Sequence, residues 1–164
     1  MERKIGVLFV CTGNICRSPT AEGVLRHQAE RAGLAERLAI DSAGTHGYHV
    51  GEPPDRRSIA AARRRGIDLS ALRARQVARR DFAGFDYVLA LDRGHFGLLQ
   101  AACPPAHAAH LSLFLDHLGE AGLHDVPDPY YGNAQGFEEV LDLIERGCAA
   151  LLDHIRRTHF ADHG

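Results

Sequence analysis

Four short apolar runs alternate with stretches of helical spacing along the chain. Ile5 to Val10, Leu38 to Ile40, Tyr87 to Leu91 and Leu111 to Leu115 are mostly continuous rather than alternating in polarity, as in parallel strands covered on both faces. Between them apolar residues recur at three-to-four spacing: Ala21, Val24 and Leu25; Ile59 and Ala62; Phe96 and Leu99. After the last run a longer stripe carries Val140, Ile144, Cys148, Leu151 and Ile155, the mark of a helix packed on a sheet. This order predicts an α/β fold: a single-domain open doubly wound four-stranded parallel sheet over residues 1–164, with helices on both faces. Its site should lie outside the carboxyl ends of the strands. Two segments break the rhythm, His46 to Asp55 and Gly119 to Asn133, and such loops carry function in folds of this kind.

Composition narrows the chemistry. A chain of 164 residues, 45% hydrophobic, can bury its own core without disulfide or metal staples. A net charge of −2 with scattered basic residues argues against nucleic acid or a membrane surface as partner. No apolar stretch approaches the ~20 residues of a membrane span. The first apolar run superficially resembles a signal peptide, but it is short and no A-x-A-like cleavage site follows. A cytoplasmic protein is therefore expected, with signal-less export left open and a monomer favoured. The four cysteines form no close-set framework, which points to free, reduced thiols. Among eleven histidines there is no HExxH, and neither His107 with His110 nor His46 with His49 has the further ligands of a zinc site. We expect solvent-exposed histidines, no metal and no other cofactor.

The stretch Val10-Cys11-Thr12-Gly13-Asn14-Ile15-Cys16-Arg17-Ser18-Pro19 leaves the first predicted strand and enters the first predicted helix. C-x5-R is weak as a spacing alone in a chain this rich in Arg; its context makes it specific. Gly13 permits a tight turn with inward-pointing amides, and Ser18-Pro19 suits a helix start. The loop Thr12, Gly13, Asn14, Ile15, Cys16, Arg17, Ser18 then becomes a cradle for phosphate or a similar oxyanion, and the helix end favours the thiolate form of Cys11. Cys11 is the candidate nucleophile. Arg17, a planar fork, suits bidentate contact with phosphoryl oxygens, and Ser18 is placed to donate a hydrogen bond to the departing thiolate. The loop lacks GxxxxGK[ST] and GxGxxG, which disfavours nucleotide hydrolysis and dinucleotide binding, and no G-x-S-x-G elbow is present.

Attack on phosphorus by a thiolate needs an acid to protonate the departing oxygen. Asp128, in Pro127-Asp128-Pro129-Tyr130-Tyr131-Gly132, follows the last predicted strand and is held extended by Pro129. Tyr130 and Tyr131 are able to wall a cleft and stack on an aromatic group.

These residues resemble the low-molecular-weight protein tyrosine phosphatases. The likeness runs through VCTGNICRSPTAEGV at 10 to 24, DSAGT at 41 to 45, HVGEPPD at 49 to 55, LDRGHFGLL at 91 to 99 and DPYYG at 128 to 132. It implies hydrolysis of phosphotyrosine in proteins or peptides, with Cys11 as nucleophile, Arg17 on phosphate and Asp128 as acid and later base. It further implies that Asn14 and Ser42 join the network holding the loop. Ile15 shapes the aromatic pocket where related arginine phosphatases carry Thr, and Tyr48 joins Tyr130 and Tyr131 as cleft wall where many relatives have Trp. Leu72 stands where the family often has a His that bonds the loop Asn, which implies a looser hold on Asn14. Cys16 matches the family position that can close a protective disulfide with an oxidised Cys11; from the residues alone it is equally a small loop residue. Cys103 and Cys148 read as structural. Two rivals stand beside the phosphatase: an arsenate reductase, which needs further resolving cysteines, and a non-catalytic module that binds phosphate groups without cleaving them.

Overall fold

A computed structural model describes residues 3–130 and 132–160. Strand β1 (Ile5–Cys11) is buried along its whole length, and its pleat explains why its apolar run is unbroken. Val7, Phe9 and Cys11 point into one core while Leu8 and Val10 point into another. Helices α1 (Arg17–Arg31) and α5 (Ala134–His159) cover the first core, with α2 (Arg56–Arg63) packed on α5. Phe82 of α3 (Asp81–Gly84) and Leu99 of α4 (Arg93–Ala102) close the second. All strands pair in parallel, in the order β2 (Leu38–Gly44), β1, β3 (Tyr87–Ala90), β4 (Leu111–Leu113). The doubly wound α/β domain expected from the apolar runs is present.

Strand ends differ from that expectation. β2 continues four residues past Ile40, because Asp41 and Ser42 interrupt the apolar signal without interrupting the backbone ladder, which pairs β1 and β2 from Ile5 opposite Leu38 to Cys11 opposite Gly44. The fourth run stops being a strand at Leu113. Phe114 and Leu115 turn into a 3-10 helix, Phe114–Leu118, and spend their apolar surface on the core beneath α5. Leu91 lies past β3, yet its N–H still donates to the Val10 carbonyl at 3.0 Å.

From β1 the chain crosses to β2 on one side and returns to β3 on the other, so the winding reverses at β1. At such a switch point the carboxyl ends of neighbouring strands diverge into a crevice. Gly44, at the end of β2, packs beneath the loop that leaves β1. A Cβ there would lie 2.7 Å from the Thr12 carbonyl oxygen and 3.0 Å from that of His46, so only glycine fits. The Gly119 to Asn133 segment is drawn over the same edge by Val126, whose N–H donates to Leu91 O at 2.8 Å. Among the described residues no helix is long and apolar enough to cross a membrane.

Candidate active site

Cys11 is the last residue of β1, and α1 begins six residues later at Arg17, with Cys16 as its N-cap. The helix thus starts just ahead of the predicted Ser18-Pro19. The Cys16 side chain makes no cap bond, and the N–H groups of Gly13, Asn14, Ile15 and Cys16 find no acceptor among the described residues. Such orphan donors at a helix N-terminus form an anion site. Two donors converge on the sulfur: the Ser18 hydroxyl lies 2.9 Å from Cys11 Sγ, and the Ser18 N–H donates to it at 3.4 Å.

The direction of the hydroxyl bond follows from its neighbours. Asn14 Nδ2 donates to Ser18 Oγ at 2.8 Å and to Ser42 Oγ at 2.9 Å, while Ser42 Oγ donates to Glu22 Oε1 at 2.7 Å. With its oxygen accepting from Asn14, Ser18 can turn its hydrogen toward a thiolate at 2.9 Å in preference to the Ala43 carbonyl at 3.4 Å. Asn14 itself is buried with φ of 59°, a left-handed conformation that costs most side chains strain and that Asn tolerates best. Its Oδ1 accepts from the Arg75 N–H at 3.0 Å. Leu72 packs against the core, and the Arg75 backbone amide is the donor that meets Asn14 Oδ1.

Arg17 is almost wholly enclosed, its side chain 5% exposed. Nη1 donates to Asp92 Oδ2 at 2.8 Å and to the Val126 carbonyl at 2.9 Å. Nη2 lies 3.7 Å from Asp128 Oδ2. The predicted nucleophile, phosphate ligand and acid therefore face one pocket of about 210 Å³, which Thr12, Gly13, Ile15, Cys16, Tyr48 and Tyr130 also line. Tyr48 stands at its rim, 72% exposed, and stacks on His46 with centroids 5.0 Å apart. Asp128 is 44% exposed and its Oδ1 accepts from the Tyr130 N–H at 3.0 Å, an Asx turn that fixes the approach of the acid. Cys16 is buried, and desolvation, with the charges of Asp55, Cys11 and Asp128, pushes its thiol up to about 12. Cys103 and Cys148 lie outside the pocket; Cys148 is fully buried in α5 and donates to the Ala21 carbonyl. Tyr131 lies outside the described residues.

The sequence matches the family described as low molecular weight phosphotyrosine protein phosphatase over residues 6–160. The chain belongs to that family. It is 44% identical to the low molecular weight protein-tyrosine-phosphatase YfkJ of Bacillus subtilis, over 93% of this chain and 97% of that one. The solved YfkJ structure covers 96% of this chain and 98% of its own, with a TM-score of 0.91 at 42% identity. A protein tyrosine phosphatase from Entamoeba histolytica with Hepes in its active site matches at a TM-score of 0.90 and 35% identity, covering 94% of this chain and 99% of that one.

Sequence reasoning missed several members of this phosphatase site. Asp92 and His95 stand behind Arg17. His95 corrects the expectation of exposed histidines, being 4% exposed, with Nε2 2.8 Å from Thr12 Oγ1 and 3.3 Å from Arg17 Nη2. The signal for Asp92 was available: it is the first charged residue after β3, beside the switch point. Asp92 Oδ1 also caps α4 by accepting from the His95 N–H at 2.8 Å, so one carboxylate starts the helix and holds the arginine. Glu22, buried beneath Ser42, has its carboxyl pushed up by desolvation, against the pull of Ser42 and Arg26. Arg57 ties the acid loop down: it donates to Tyr130 O at 2.9 Å and Gly132 O at 3.3 Å, and binds Asp55, the N-cap of α2.

Proposed function

We propose that this pocket hydrolyses phosphotyrosine in proteins or peptides, and aryl phosphate monoesters, through a phosphocysteine intermediate. The observation that carries this reading is the convergence on one pocket of a thiol with two donors at its sulfur, a guanidinium and a partly exposed carboxyl. Cys11 Sγ attacks phosphorus in line; the S–P bond forms as the bond to the tyrosyl oxygen breaks, and Asp128 gives that oxygen its proton. The loop amides and Arg17 carry the charge spread over the phosphoryl oxygens, an electrostatic contribution made where no rearrangement of donors is needed. Asp128 then removes a proton from water, which attacks phosphorus. Phosphate leaves as the S–P bond breaks, and the Ser18 hydroxyl stabilises the returning thiolate. Ile15, Tyr48 and Tyr130 wall the aromatic ring. We read Cys16, which lines the pocket beside Cys11, as the redox partner with which an oxidised Cys11 closes a disulfide.

The test is turnover of p-nitrophenyl phosphate in excess chelator. Wild-type protein should release nitrophenol, while Cys11→Ser should abolish turnover and still bind inorganic phosphate. Near wild-type turnover by Cys11→Ser would overturn the mechanism.

A further inference from the structure

One buried atom near Arg17, Nδ1 of His95, has no hydrogen bond among the described residues. It lies 3.1 Å from Asp92 Oδ1, while Nε2 faces both the Thr12 hydroxyl and Arg17 Nη2. A neutral imidazole carries its proton on one nitrogen only. Placed on Nε2, the proton would meet the N–H of Arg17, and the bare Nδ1 lone pair would meet a carboxylate. Placed on Nδ1, it lies near the carboxylate, a favourable charge contact without hydrogen-bond alignment, and the Nε2 lone pair is left for two donors. The surroundings therefore select the Nδ1-protonated form. The groups facing the ring are Arg17 from α1, Asp92 at the start of α4, Asp128 from the acid loop and His46. Desolvation first, then the Arg17 cation, outweigh the two carboxylates and push the imidazole down to about 4, so the ring is neutral near pH 7.

We propose that His95 is a positioning residue for phosphoryl transfer, its Nε2 lone pair fixing Arg17 and Thr12 in the orientation that meets the phosphate. Asp92 and Val126 O engage Nη1, and His95 engages one proton of Nη2. The second Nη2 proton and the Nε–H remain for two phosphoryl oxygens, the planar bidentate arrangement at which arginine excels. Without the His95 acceptor the guanidinium keeps its charge and loses one constraint on its plane. Misorientation of that kind costs turnover more than binding.

This inference rests on the phosphatase reading, and the experiment separates the two. Turnover of p-nitrophenyl phosphate by wild-type protein tests the reading; the ratio of variants to wild type tests His95. His95→Met and His95→Gln have nearly the same shape, but only Gln offers an oxygen acceptor. In His95→Met kcat should fall about tenfold or more, with KM near wild type and inhibition by vanadate weakened in proportion. His95→Gln should recover most of both. A His95→Met protein with wild-type kcat and vanadate inhibition overturns the proposal, as does a folded His95→Gln no faster than His95→Met. A measurement on wild type stands independently of whether the variants fold: nitrogen NMR of the ring at pH 7 should show Nδ1 protonated and Nε2 bare, and the reverse pattern or an imidazolium overturns it.

Discussion

Arg17 and Arg65 are both surrounded by acceptors, yet they serve opposite ends of the molecule's economy. Arg17, enclosed at the carboxyl edge of the sheet, is held by Asp92, Val126 O and His95. Arg65, following α2, is 26% exposed and reaches Glu138, Asp142 and Glu145 on successive turns of α5. The first arrangement buries charge and polar groups, which costs stability unless every partner is in place, and gains orientation. The second leaves its charges near water, where they join two helices cheaply and loosely. Burial, more than the number of partners, separates a charge arranged for chemistry from one arranged for cohesion.

Removing the acid should produce the largest effect at the first end without loosening the fold. Asp128→Ala should lower kcat/KM for phosphotyrosine peptides by about 10²–10⁴, and for p-nitrophenyl phosphate much less, because nitrophenolate leaves without help; loss of the base in the second step lowers kcat for both alike. Because the side chain is half exposed, stability should stay within about 0.5 kcal/mol. The check is a plot of log kcat/KM against leaving-group pKa, which should be steep for the variant and shallow for wild type. Parallel plots would show that another group delivers the proton.

A smaller effect, this time on stability, should come from Asn14. Asn14→Ala removes two buried hydrogen bonds and a part-buried one and leaves a Cβ residue at φ of 59°, a cost of about 1–3 kcal/mol. Asn14→Gly loses the same bonds without the strain, so it should unfold at higher denaturant than the alanine variant while losing turnover as well. Equal midpoints for the two would show that the left-handed geometry stores no strain.

Asn14 also shows where reading from sequence runs out. Cys11, Arg17 and Ser18 were legible because an anion cradle is built from consecutive residues between a strand and a helix, and Asp128 because prolines and tyrosines mark its loop. The partners that hold these groups arrive from far along the chain. The Arg75 amide that binds Asn14 is a backbone group, which any residue type supplies, so its identity left no trace. His95 lies 78 residues from Arg17 and sits on a helix whose apolar spacing, Phe96 and Leu99, drew attention away from it. The second half of β2 was hidden for a related reason: Ser42 and Gly44 are there for the loop above them, and their polarity or smallness erased the strand pattern.

The smallest effect should come from Arg65→Ala. It removes contacts to three carboxylates, among them hydrogen bonds of 2.7 Å to Glu145 Oε1 and 3.2 Å to Glu138 Oε1, and leaves those carboxylates to repel one another along α5. The loss should be about 1 kcal/mol, a drop of about 2–4 °C in Tm for a domain of this size, and added salt should shrink it. Acid should shrink it too. Arg64 and Arg65 hold the Glu138 carboxyl below its ordinary value, with hydrogen bonding to Arg64 the largest cause, so the stabilisation is present above the ordinary carboxylate range and disappears as pH falls through the lowered one. The difference in Tm between wild type and Arg65→Ala should therefore narrow from pH 7 toward pH 3, with kcat and KM for p-nitrophenyl phosphate unchanged at pH 7. A fall in kcat would break the contrast drawn between the two arginines, since it would mean that the seam between α2 and α5 positions the pocket as well as closing the fold.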